Sequence, residues 1–274
     1  MNSNRCRVQQ TVELDIGCTD LTKWKSYKHL FESYIITCNR KDILSNELKN
    51  DALDIYFKGI FSLCDAISSL SNGNHSWPVI KLYYSVFYFL RCSLASRNIA
   101  FIKNNGIYTL KIAEGEIPIR RDGKKIRGER VSGDHKTTIV TYVDLIGEQD
   151  ILQTNTINGL NVYEYLMEMR NQITYRERTF KEPEFNHFCS EISSREQLSN
   201  YILEYINDSS YAFCFDEAHI CLAVPLKVAL MAKNELKKII NTESISKEKR
   251  AVLHGLIASL RLRKEFSFMQ LIDI

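Results

Sequence analysis

The segment WPVIKLYYSVFYFLRCSLA (77–95) constrains this chain more than any other. Val79, Tyr83, Val86, Phe87, Leu90 and Leu94 recur at helical spacings and form one apolar stripe. The aromatic density of LYYSVFYFLR calls for deep burial against neighbouring helices. Ser76 is expected to cap this helix, with Pro78 in its first turn. Three further runs supply the neighbours. Leu53, Phe57, Ile60, Phe61, Cys64 and Ile67 share a face between residues 53 and 70, KTTIVTYVDLI (136–146) is periodic, and Val162, Leu166, Met169 and Ile173 share a face in NVYEYLMEMRNQITY.

Between Asn104 and Asp134 the texture changes. GIYTLKIAEGEIPIRRDGKKIRGERVSGD alternates β-formers and contains Asp122-Gly123, the preferred type I′ turn pair, which predicts a β-hairpin inserted at about 105–133. In the N-terminal segment, residues 1–50, WKSYKHLFESYIITCNR (24–40) predicts a packed accessory helix. The C-terminal extension, 186–274, contributes SREQLSNYILEYIND, HICLAVPLKVALMAKNELKKI and AVLHGLIASLRLR. An interior proline costs about 3 kcal/mol, so a kink or break is expected just before Pro225. The expected fold is all-α: a four-helix core over 51–185, one β-hairpin insertion, and flanking helices at both ends.

No stretch reaches the run of about 18 apolar residues that a membrane span needs, and MNSNRCRVQQTVELD lacks the apolar centre of a secretory signal. A cytoplasmic protein with no membrane partner is expected. The eight cysteines are scattered singly, with no C-x-x-C pair and no close Cys/His quartet, and read as reduced, mostly buried thiols; neither a metal nor a cofactor is expected. A net charge of +3 does not mark a nucleic-acid binder, so that case rests on local clusters. One exists: Arg120, Arg121, Lys124, Lys125, Arg127 and Arg130 are opposed only by Asp122 and Glu129, a pattern suited to a phosphate backbone, though solvated hairpin tips are commonly basic too. FDEAH (215–219) spells a helicase-like tetrad with no phosphate-binding loop upstream, so Asp216 and Glu217 read as the acidic first turn of the next helix.

Three pieces in order resemble the HEPN superfamily. WPVIKLYYSVFYFLRCSLASRNIA is similar to that family's aromatic second helix, GDHKTTIVTYV to its His-Lys helix start, and MRNQITYRER to the arginine motif ending its fourth helix. The likeness covers roughly residues 53–180. It implies a metal-independent endoribonuclease or toxin-like effector in a defence or toxin–antitoxin setting, working on RNA as a homodimer. Its motif arginine would be Arg170, followed here by Asn171, with Tyr175 at the position where many such ribonucleases carry histidine.

Metal-free RNA cleavage needs a base for the 2′-hydroxyl, an acid for the leaving oxygen, and cationic donors for the phosphate. Arg170 suits the phosphate, with Asn171 as a further donor. Tyr175, with an ordinary pKa near 10, is a poor base but a usable donor. His135 is the candidate acid or base in place of the absent motif histidine. On a regular helix Arg170 and Tyr175 lie roughly 140° apart, so one helix cannot aim both at one phosphate, and the homodimer implied by the resemblance would bring two motifs together. Two alternatives stand beside this reading: a catalytically silent protein that binds RNA or a partner, and a regulatory partner, encoded nearby, of a nucleotidyltransferase that modifies Tyr175.

Overall fold

The structure, a computed structural model, describes residues 5–182, 184, 187–240, 246–260, 262 and 268–271. In chain order they form α1 (Arg7–Asp15), α2 (Lys28–Glu32), α3 (Cys38–Ser71), α4 (Ser76–Ser96), β1 (Ile99–Lys103), β2 (Ile107–Lys111), β3 (Ile119–Arg120), β4 (Lys125–Ile126), β5 (Glu129–Arg130), α5 (Asp134–Ile146), α6 (Val162–Asn171), α7 (Arg195–Asn207), α8 (Ile220–Leu236) and α9 (Lys247–Ser259). The chain is mostly helical, and no described helix is long and apolar enough to cross a membrane.

The aromatic helix α4 is the axis of the molecule and packs against α3, α5, α6 and α8. Its predicted stripe is buried throughout, and so are Leu82, Phe89 and Cys92 beside it. Each fully buried apolar side chain contributes about 1.5–3 kcal/mol. Close approach of α3 depends on Gly59, where a Cβ would stand 2.4 Å from Phe89 Cε1.

The C-terminal extension proves to be core. α8 is buried on nearly every side from Ile220 to Ala229, and one apolar cluster runs from Val8 to Leu271. The expected break before Pro225 is absent, since α8 continues through it. Pro225 is only the sixth helical residue, so its ring removes one hydrogen bond, to Cys221, and burial on all sides outweighs that loss. The acidic pair does not open α8. Asp216 and Glu217 lie in the preceding loop, where Asp216 Oδ1 accepts from the Ala218 N–H and Glu217 from the Asn158 amide.

The accessory helix over 24–40 is broken. A 3-10 turn (Leu21–Tyr27) leads into the short α2, and residues 33–37 separate it from α3. Here Ile36 pairs its backbone with Gly115 and Glu116, an extended geometry that its β-branch favours. α3 then runs unbroken through residue 50, where a segment boundary was expected.

The insertion is two small sheets rather than one hairpin. β1, β2 and β3 form an antiparallel sheet, and β4 pairs with β5. Asp122-Gly123 is not the hairpin turn: Asp122 Oδ1 accepts the Ile107 N–H across the first sheet at 2.7 Å. The two-residue turn falls at Arg127-Gly128, both at positive φ (50° and 85°), as a type I′ turn requires.

Ser76 does not cap α4 with its own side chain. It is the first helical residue, and the Glu182 carboxylate accepts from the His75 N–H, the Ser76 N–H (2.8 Å) and the Ser76 hydroxyl (2.9 Å). A carboxylate at a helix N-terminus also complements its dipole. This cap ties the chain after α6 to the start of α4.

Candidate functional site

Where α6 ends, the backbone widens into a π turn over Gln172–Arg176, closed by the Glu177 N–H donating to Gln172 O at 3.0 Å. Hydrogen bonding from i to i+5 widens the turn, so residues five apart come closer around the axis than on a regular helix. The turn therefore overturns the expectation that one helix cannot aim Arg170 and Tyr175 together. The Arg170 Cζ stands 5.3 Å from the centre of the Tyr175 ring. Tyr175 is 69% exposed, whereas Arg170 is 9% exposed.

Arg170 is fixed from three sides. Nη1 donates to Asn171 Oδ1 at 2.8 Å, Nη2 donates to the Tyr84 hydroxyl at 3.0 Å, and the guanidinium also faces the Tyr83 ring at 5.8 Å. Its Nε is buried with no hydrogen-bond partner among the described residues. A guanidinium held by neutral groups keeps its full charge available to an anion.

His135 enters from the first turn of α5 and reaches the same place. Its Nδ1 is 2.9 Å from the Tyr83 hydroxyl, and its ring packs on Tyr83, Tyr84 and Phe87, with the Phe87 centroid 4.7 Å away. Burial, and next the neighbouring Arg170 charge, push the imidazole below its ordinary pKa of about 6.5, so it is neutral at pH 7. With Nδ1 occupied, Nε2 is the nitrogen left for a substrate.

Asp134, beside His135, is ion-paired with Arg91 and with Lys103 at 2.8 Å. Burial opposes its ionisation, but the Arg91 guanidinium and the Lys103 ammonium hold its carboxyl below the usual range. Arg91 also donates to Thr138 and lies over the Phe87 and Phe101 rings, which anchors the His135-bearing end of α5 to α4.

Arg170, Asn171, Tyr175 and His135 are thus gathered within one chain. Tyr83, Tyr84 and Arg91 complete the cluster, although the helical stripe had marked Tyr83 only as core. The signal available was chemical: buried phenols need hydrogen-bond partners, and two adjacent tyrosines need two.

Three of the six basic residues already have partners. Arg120 pairs with Asp122 and Arg121 with Asp144, each at 3.3 Å, while Arg127 Nη1 donates to Val143 O at 3.1 Å. Lys124, Lys125 and Arg130 are exposed. Lys125 and Arg130 are direct cross-strand partners, an arrangement of like charges that costs stability. Against these features, no family model, no curated protein and no solved structure matches the chain.

Proposed function

We propose that this protein is a HEPN-type, metal-independent endoribonuclease or toxin-like effector. The observation that carries the reading is the meeting of a neutral His135 and the Arg170 guanidinium on the Tyr83–Tyr84 pair. In this reading Arg170 holds the scissile phosphate and stabilises the charge that develops on it. His135 takes the 2′-hydroxyl proton at Nε2, which requires Nδ1 to carry the ring proton and donate it to Tyr83. Tyr175, at the rim, donates to the phosphate or the leaving oxygen. Lys124, Lys125 and Arg130 hold the RNA backbone, and a homodimer would join two such sites along one strand.

The test is cleavage of total cellular RNA in EDTA by wild type and by Arg170→Ala, matched for folding by circular dichroism. Specific fragments from the wild type that vanish in the variant support the reading. Absence of cleavage by both folded proteins sinks it. The exposure of Tyr175 favours a second reading, a regulatory partner of a nucleotidyltransferase in which that hydroxyl is the acceptor. Mass spectrometry of protein purified with its genomic neighbour then finds a nucleotidyl-sized addition on the Tyr175 peptide.

A further inference from the structure

Beside the β4–β5 hairpin lies an open-mouthed cavity of about 280 Å³, bordered by α5, the first turn of α6 and the loop between them. Its apolar wall is Ile126, Val140 and Val143, and Gln153, Thr156 and Asn161 supply neutral hydrogen-bonding groups. Three charged side chains complete it. Glu129 is already neutralised by Lys136 at 2.8 Å. Glu164, the third helical residue of α6, makes no ion pair within 4 Å among the described residues, although the Lys136 and Arg127 charges lie near enough to favour its ionised form. Among the described residues Arg127 makes one hydrogen bond, to the Val143 carbonyl.

The cavity therefore offers one carboxylate and one guanidinium that are near each other but not in ion-pair contact, with an aliphatic wall beside them. Burial, then the nearby Glu129, raises the Glu164 carboxyl above its ordinary range, so it gains from a cationic partner. A phosphate-bearing ligand is disfavoured by the Glu164 carboxylate. The volume lies just under the roughly 300–1,000 Å³ of pockets for drug-sized molecules, so the occupant is small.

We propose that this cavity binds a free aliphatic α-amino acid, with its ammonium on Glu164, its carboxylate on Arg127 and its side chain on Ile126, Val140 and Val143. The site is separate from the Arg170 cluster and does not depend on the ribonuclease reading. It shares α5 and α6 with that cluster: Glu164 and Arg170 are six residues apart on α6, about 9 Å along its axis.

The test is calorimetric titration of the full chain with L-valine, with isobutylamine, which lacks the carboxylate, and with isovalerate, which lacks the ammonium. Either truncated ligand should bind at least about tenfold more weakly than L-valine, the loss expected for a charge-assisted contact. Glu164→Gln keeps a side chain that suits the third position of a capping box, and Arg127→Asn suits a residue held at positive φ, so both variants should fold. Glu164→Gln should weaken L-valine by a similar factor and leave isovalerate unchanged, and Arg127→Asn should weaken L-valine and leave isobutylamine unchanged. No binding of L-valine, or equal binding by folded Glu164→Gln, overturns the proposal.

Discussion

The Tyr83 hydroxyl lies 2.9 Å from Nδ1 of His135, so one buried phenol governs which nitrogen of the catalytic candidate faces outward. If His135 is the base, nitrogen-15 spectra will place the ring proton on Nδ1, and a proton fixed on Nε2 removes it from that role. Because the folded pKa lies below about 6.5, cleavage should rise with pH through a value under 6.5 and be level by pH 7. Stability follows the same sign. Below about pH 6.5 the unfolded state binds the proton more readily, so the contribution of neutral His135 is complete above that pH and lost on acidification. Tyr83→Phe should cut cleavage at least tenfold with RNA affinity unchanged, an expected split in the manner of other positioning losses.

Glu182 is predicted to hold the segment after the π turn. Glu182→Ala removes a helix cap and should cost about 1 kcal/mol in urea unfolding at pH 7. Burial resists the charge, but the Ser76 N–H and hydroxyl keep the Glu182 carboxyl below its ordinary range, so its contribution is present above about pH 4.3 and lost as pH falls through the folded value. Trp77 reports on the event, since its ring packs 5.9 Å from Phe180 on the same segment. A red shift of its fluorescence is expected in Glu182→Ala, and an unchanged spectrum with unchanged stability would falsify the clamp.

Helix positions were legible wherever one apolar stripe decided them: the stripes of α3, α4 and α6 pointed to the segments that became core. Context was not legible. The α8 sequence offers no contrast between faces because the helix is buried on nearly all of them, so it read as an appendage. Arg127 has no local reason to adopt a left-handed turn, whereas Asp122-Gly123 does, yet the Asp122 side chain is spent on Ile107. The sequence put Arg170 and Tyr175 on different sides of a regular helix, whereas the structure brings them together within one chain. A π turn has no signature in a 3.6-residue period, and it alone brings Tyr175 over Arg170.

Two glycines in helices should respond oppositely to alanine. Alanine is better than glycine by about 0.8–1.0 kcal/mol in a helix interior. Gly255 in α9 has nothing within 4 Å of an added Cβ, so Gly255→Ala should stabilise by up to that amount. At Gly59 the methyl would meet the Phe89 ring at 2.4 Å, and Phe89 is fully buried. Gly59→Ala should therefore destabilise by about 1–3 kcal/mol, the usual cost of overpacking, and thermal unfolding of both variants side by side checks the contrast.

If the basic hairpin holds RNA as proposed, the salt dependence of that binding should separate paired cations from available ones. Each phosphate contact contributes about 0.7 to the slope of log affinity against log salt for single strands, so Lys124→Gln, Lys125→Gln and Arg130→Gln together should reduce it by about 2. Arg120→Gln and Arg121→Gln should change the slope little, because Asp122 and Asp144 already neutralise those side chains. The triple variant should also stabilise the hairpin, since it removes the like-charge pair Lys125–Arg130 across the β4–β5 ladder. If the slope is the same for the triple variant and the wild type, the hairpin does not touch RNA, and its basic residues serve only to solvate the turn.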